Sequence, residues 1–531
     1  MLHSTISSPG LSHGFSKRDC LLYNNRIDRM RGNEYPMLRG KTYLDHAGTT
    51  LPAKSLITAF SEQMQTHLLG NPHSSSSSEP SISHRIVEET RLQVLQLFKA
   101  NPDHFDLVFV ANATAGIKLV VEAFNGCPEG YEYYYHRDSH TSLVGPRELA
   151  CKSHCFLSDD EVEEWMKSGG SHTPPLEKVE NGLRLFAYPA QSNMNGRRLP
   201  LSWCSSFRSS SDNPQTFTLL DVAALASTTL LDLSDHINAP DFTVLSFYKI
   251  FGFPNLGGLI VRKSAGHVFD HRRYFGGGTT EMTTCSGQPW VERKKSSLHE
   301  RLEDGTGATH SIVALNCAIG VHARLFGFEE ASVHARWLAH CLYEKLVSMK
   351  HANGRLVCRI YKDPTSTYTD AKTQGPTVAF NICKSDGTWV SSSKVGAMAE
   401  KWNLLVRTGS MCNPAGMAHA LAVTHEDIRT AYDSGFRCGQ ADDVRNGVPM
   451  GIVRVSFGAM SVLKDVEAFL MFVEECFVES KKDSVFGSED KFRNSEQSAM
   501  PSPSIGKLSA LKSRRKRWWS KILRMCLPLR E

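Results

Sequence analysis

No apolar run in this sequence approaches the roughly 20 residues of a membrane-spanning helix, so none is expected. The opening stretch, MLHSTISSPGLSHGFSKRDC, lacks the apolar core of a secretory signal. Among the 14 cysteines there is no C-x-x-C pair and no zinc-ligand spacing, so no metal site is expected. Scattered thiols in a chain of 531 residues suit a reduced, cytoplasmic protein in which one thiol reacts and most pack. A basic body is lacking too. The net charge is +5, yet residues 507–531 hold nine Lys/Arg and one acid, which leaves the rest at −3. That balance argues against nucleic acid as a partner.

What is present reads as an ordinary globular protein, 41% hydrophobic and long enough for two or more domains. Residues 1–38 are polar and expected to be flexible. From residue 39 to about 320, strand-like runs alternate with helical patterns, which predicts a large α/β domain with a mostly parallel sheet. A helical stretch from about His310 to Lys350 leads into a smaller α+β domain, residues 321–480. Residues 481–531 read as a disordered linker and a basic, Trp-containing tail.

Four unusual polar residues fall at the carboxyl ends of predicted strands. Thr114 follows LVFVANA, Asn193 follows LFAYPAQS, Asp221 ends FTLL, and Lys249 ends TVLSFY. In open α/β sheets that edge binds ligands. A lysine and a carboxylate there suit pyridoxal 5'-phosphate, which needs an amine for its covalent link and an acid beside its ring nitrogen. ANATAGIK offers Thr114 as the cap of a helix N-terminus for the phosphate. Each residue alone has an ordinary structural reading as a cap, a turn or a surface group. Their order along the chain favours a cofactor site.

YLDHAGTT, GNPHS, ANATAGIKLV, HTSLVGPRE, FAYPAQSNMNGRRLPLSW, SFYKIFGFP, YFGGGTTE, RTGSMCNPAG and RVSFGA run in one order. In this the chain resembles the molybdenum cofactor sulfurases, specifically their N-terminal cysteine-desulfurase-like domain, a class V relative of pyridoxal-phosphate fold type I. The resemblance spans roughly Lys41 to Glu479. It implies that Lys249 carries the cofactor, Asp221 pairs with the ring nitrogen, and His140 stacks on the ring and helps proton transfer. Asn193 would donate to the ring oxygen, and Thr114 and Ser246 would hold the phosphate. Thr306 would reach the phosphate of a partner subunit in a homodimer, and Arg454 would clamp the substrate carboxylate.

The second chemical centre is Cys412, in a Gly/Asn/Pro-rich stretch that reads as a mobile loop near Arg407. Family loops often carry flanking cysteines, but Ser410 and Met417 stand in those places here. Cys412 is therefore the loop's one persulfide carrier. The implied reaction takes L-cysteine to alanine, with sulfur passed through Cys412 to molybdenum cofactor or a sulfur-acceptor protein. The alternative is a desulfurase or C–S lyase serving another pathway. Full-length members add a molybdenum-cofactor-binding domain, for which the residues after the linker are too few. The tail, with Arg514 to Arg517 followed by Trp518 and Trp519, predicts weak contact with an anionic membrane surface or acidic partner.

Overall fold

In the computed structural model, residues 16–72, 80–168, 182–206 and 216–479 are described. The tail and linker expectations lie outside them. Seven strands build the large sheet: β1 (Phe105–Val110), β2 (Tyr131–His136), β3 (Lys152–Phe156), β4 (Leu183–Pro189), β5 (Thr216–Asp221), β6 (Phe242–Ser246) and β7 (Gly257–Arg262). Their spatial order is β1-β7-β6-β5-β4-β2-β3. The run from β3 to β6 is parallel, and β7 lies antiparallel between β6 and β1.

These strands form where side chains alternate between two separate cores. Phe105, Leu107, Phe186, Tyr188 and Leu245 enter one core, while Val108, Tyr133, Leu185, Ala187 and Val244 enter the other. Burial on both faces explains why the strands read as continuous apolar runs. With cores on both faces, the sheet's rim of strand ends remains for chemistry.

The smaller half is built on β8 (Cys358–Ile360), β9 (Thr377–Cys383), β10 (Arg407–Gly409) and β11 (Ile452–Ser456), in the order β8-β9-β11-β10. The short strand Thr42–Tyr43 pairs in parallel with Leu404–Leu405, and Asp45 bridges to Ser456 beyond it. That pairing carries the chain from the smaller half onto the rim of the large sheet.

Two local expectations are corrected and one is refined. The segment expected to be flexible, 1–38, contains helix α1 (Lys17–Glu34), capped by Ser16. Cys20, Tyr23 and Ile27 lie one helical turn apart on one face, and their burial overrides the polar composition around them. Arg31 of α1 pairs with Asp465 through both guanidinium Nη atoms, at 2.6 and 3.0 Å. Asp465 lies at the start of the last described helix, Leu463–Phe477. The stretch from His310 to Lys350 is two helices, Thr309–Leu325 and Phe328–Ser348, bent by 70°. Phe326 adopts an extended backbone there and stops the first helix. Finally, Lys249 does not end a strand. β6 stops at Ser246, and Lys249 sits in a one-turn helix, Phe247–Phe251.

Candidate active site

Gly252 explains that turn of helix. Its φ is +79°, and a Cβ there would lie 2.3 Å from the Leu51 carbonyl carbon. Only glycine fits, so the helix ends after one turn. The Tyr248 carbonyl accepts from Thr50 N at 3.4 Å and from Thr49 Oγ1 at 3.3 Å. These bonds fix the turn that carries Lys249. Its side chain retains some exposed surface, but burial of the amine holds its pKa below the ordinary lysine value. Asp221 opposes that shift, Arg454 adds to it, and Asp45 and Cys412 oppose it. Lys249 therefore stands within electrostatic reach of two carboxylates, a guanidinium and a thiol.

Asp221 closes β5, and its Oδ1 accepts from Ala223 N at 2.9 Å. Facing it is His140, whose Nδ1 accepts from Ser142 N at 3.1 Å. A neutral ring bonded in this way carries its proton on Nε2. Burial lowers the His140 pKa; the charge of Asp221 opposes this, and those of Lys249 and Arg454 reinforce it. Ser142 Oγ then links His140 Nδ1, at 2.9 Å, to Thr114 Oγ1, at 2.7 Å.

Thr114 lies in helix Ala113–Asn125, directly after β1. It is not the cap. Asn112 holds that position, its Oδ1 accepting from Ala115 N at 3.0 Å. The strand ends at Val110, which places Asn112 at the extended residue before the first turn, where a short side chain reaches back to the helix. Ser246 Oγ accepts from Ala113 N at 3.0 Å. The N-terminus of this helix thus has the exposed hydroxyl of Thr114 and the buried hydroxyl of Ser246 beside it.

Arg454, on β11, is nearly fully buried. Its Nη1 donates to the Asn193 carbonyl and its Nη2 to Asp45 Oδ1, both at 2.6 Å. Its buried Nε has no partner among the described residues. Asp45 was not singled out from the sequence; the strand pairing of Thr42–Tyr43 is what delivers it. Its signal, had it been used, was the acid in YLDHAGTT immediately after a strand-like pair.

Cys412 differs from the expected mobile loop. Residues Ser410 to Asn413 form a tight turn closed by Asn413 N to the Ser410 carbonyl at 3.2 Å. Met411 and Cys412, at its centre, have φ of +56° and +52°. Left-handed backbone costs a non-glycine residue about 1–2 kcal/mol. The turn is held despite that cost. Asn193 Nδ2 donates to the Met411 carbonyl at 2.7 Å, and Thr141 N to the Cys412 carbonyl at 2.8 Å. The fully buried Asn413 donates Nδ2 to the Asp138 carbonyl at 2.9 Å and to Asn193 Oδ1 at 3.1 Å. Beneath it, Arg197 pairs with Asp138 at 3.1 Å and Asp363 at 3.2 Å. Cys412 is exposed at the tip. Arg407 is exposed on β10.

The structure thus links Lys249, Asp221, His140, Asn193, Thr114, Ser246, Arg454 and Cys412 through hydrogen bonds and electrostatic contacts at the strand ends. Thr306 stands exposed on the loop before Thr309 and joins none of these bonds. Asn112, Ser142, Asp45 and Asn413 complete the framework. The donors suit pyridoxal phosphate: a helix N-terminus for its phosphate, a buried carboxylate for its ring nitrogen, and a desolvated amine for its aldehyde. The unpartnered Nε of Arg454 offers a donor for a carboxylate.

The profile of the aminotransferase class-V family matches residues 42–469. A molybdenum cofactor sulfurase of Aspergillus clavatus is 53% identical over 461 residues, covering 86% of this chain and 54% of that protein. One from Aspergillus niger is 52% identical over 467 residues, covering 87% and 56%. The chain spans about half the length of the curated relatives it matches. Among solved structures, apo cysteine desulfurase from Thermococcus onnurineus NA1 superposes with a TM-score of 0.65 at 20% identity. It covers 84% of this chain and 97% of that one. That likeness supports the fold of pyridoxal-phosphate fold type I.

Proposed function

The chain belongs to the class V aminotransferase family, and from that premise we propose that it is a pyridoxal-phosphate-dependent L-cysteine desulfurase supplying sulfur to molybdenum cofactor. One observation carries the reading. A desolvated amine lies within electrostatic reach of a buried carboxylate and an exposed thiol, as Lys249, Asp221 and Cys412. The identity to molybdenum cofactor sulfurases supports the choice of acceptor.

Lys249, Asp221, Asn193, Thr114 and Ser246 would hold the cofactor. When bound, it supplies an electron-withdrawing ring that weakens bonds at the substrate Cα. Arg454 orients the substrate carboxylate with its remaining N–H donors, Asp45 holding the guanidinium in place. Lys249 Nζ, whose burial lowers its pKa and so favours the unprotonated amine, takes the Cα proton. His140 carries a proton on Nε2 and relays it at the same face. Cys412 Sγ attacks the sulfur of the substrate. A carbon–sulfur bond breaks and a sulfur–sulfur bond forms, so L-cysteine and the Cys412 thiol give alanine and the Cys412 persulfide.

The pinned turn gives that attack a fixed origin. The turn's hydrogen bonds to Asn193 and Thr141 connect the reacting thiol to residues beside the substrate site. We also place the protein in the cytoplasm as a homodimer, with Thr306 reaching the partner's cofactor. Its exposure on a loop supports this. The basic tail would give weak contact with an anionic membrane surface.

The test is incubation of the cofactor-loaded protein with L-cysteine, scoring alanine and sulfide with and without added molybdenum cofactor. Alanine formation and sulfur transfer to the added cofactor are expected. Cys412→Ser should lose the protein-bound persulfide while keeping the cofactor. Undiminished alanine release by that variant would instead indicate a lyase that eliminates sulfide directly.

A further inference from the structure

Cys438 is an exposed thiol far from Cys412 in sequence, yet its Sγ lies 3.1 Å from Ser410 Oγ. Ser410 is the first residue of the turn that presents Cys412, and such a turn keeps its ends within about 7 Å. Two exposed thiols therefore lie on adjoining segments at the end of β10.

They face different surroundings. The Cys412 turn is bonded to the strand-end site through Thr141 and Asn193. Cys438 instead lines a cleft of about 400 Å³ together with Thr408, Gly409, Phe436 and Met450. Lys249, Asp221, His140 and Arg454 take no part in that cleft.

We propose that Cys438 is a relay thiol, taking sulfur from Cys412 and presenting it in this outer cleft. The inference rests on the desulfurase reading above. The Cys438 thiolate attacks the outer sulfur of the Cys412 persulfide. A bond forms between Cys438 Sγ and that sulfur, while the bond from Cys412 Sγ breaks. Cys412 leaves as a thiolate and takes up the proton that Cys438 lost. The exchange needs neither oxidant nor reductant. The Ser410 hydroxyl is placed to donate to the attacking sulfur, and both thiols are exposed. Transfer frees Cys412 for a second substrate before any acceptor arrives.

The experiment counts sulfane sulfur per chain after incubation of the cofactor-loaded protein with L-cysteine and no reductant. Alkylation and peptide mass spectrometry locate the sulfur, and alanine is measured in parallel. Wild type is expected to hold two sulfurs, on Cys412 and Cys438. Cys438→Ser should hold one, on Cys412, a twofold loss, and Cys412→Ser should hold none on either residue. Wild type with alanine formed and sulfur confined to Cys412 would overturn the relay alone. Label on Cys438 in Cys412→Ser would also overturn it, since loading would then bypass Cys412. Absence of alanine from wild type would refute the desulfurase reading and the relay with it.

Discussion

Replacing Asp45 by alanine tests how the site is held together. Arg454 Nη2 and Asp45 Oδ1 are 2.6 Å apart, with side chains 4% and 19% exposed. The arginine is the more deeply buried partner, so losing Asp45 leaves a cation that water cannot reach. Breaking a buried pair in this way costs about 3–5 kcal/mol. Adding Arg454→Met removes the stranded charge, and the double variant should recover most of that loss. Urea unfolding of the four proteins in the cycle, at pH 7.5 without cofactor, measures this directly. The same change acts on Lys249. The Asp45 charge raises the Lys249 pKa, so its removal lowers that pKa further. Turnover that requires a neutral amine should then extend to lower pH in Asp45→Asn. A loss below about 1 kcal/mol in Asp45→Ala would refute the ion-pair reasoning. So would a double variant no more stable than the sum of its singles.

Lys249→Ala should abolish the covalent cofactor link, and borohydride treatment of wild type should leave the reduced adduct on Lys249 by mass spectrometry. Asn413→Ala removes a helix cap and two buried hydrogen bonds. About 1–3 kcal/mol of stability should go with them, and iodoacetamide should alkylate Cys412 faster. Burial pushes the pKa of His46 down to about 3 and that of His334 to about 4. Both values lie below the unfolded-state value, so the unfolded chain binds more protons below pH 6.5. Their contribution is fully present above that pH and is lost as pH falls toward those values. At pH 5 each should cost about 2 kcal/mol, measured by urea midpoints at pH 7.5 and 5. His334→Gln should remove about half of this combined loss.

The large sheet was legible because β1, β4, β5, β6 and β7 are buried on both faces, and such strands are apolar almost without interruption. Asp221 stood out because a carboxylate closing such a run is unusual. Lys249 was identified for the same reason, but its backbone state was not. The aromatic run crosses from strand to helix without a change in polarity, and the stop is set by the close approach of Gly252 to Leu51. Thr114 was read as the cap, but Asn112 holds that place; both residue types are competent caps and only the exact strand end separates them. The Cys412 turn was hidden more thoroughly. Met and Cys are poor choices for left-handed backbone, and the bonds that enforce it come from Asn193 and Thr141, more than 200 residues away. Asp45 was obscured in the same way, by a strand pairing between residues 42–43 and 404–405. Local pattern is readable from local sequence; long-range enforcement is not.

The pairing of Arg31 with Asp465 spans 434 residues of chain. During synthesis α1 leaves the ribosome well ahead of Asp465. At 5–20 residues per second, the pair waits roughly 20–90 s to form. The strand pairings of the large sheet all lie within residues 105–262 and can form during that interval. The smaller half has no such option, because its core includes Cys20 as well as Phe469, Phe472 and Phe477. It closes only after translation has passed the last of these. Arg454 and the Cys412 turn belong to that late-closing half, so a nascent chain holds its cofactor-binding strand ends well before it can present a reactive thiol to them.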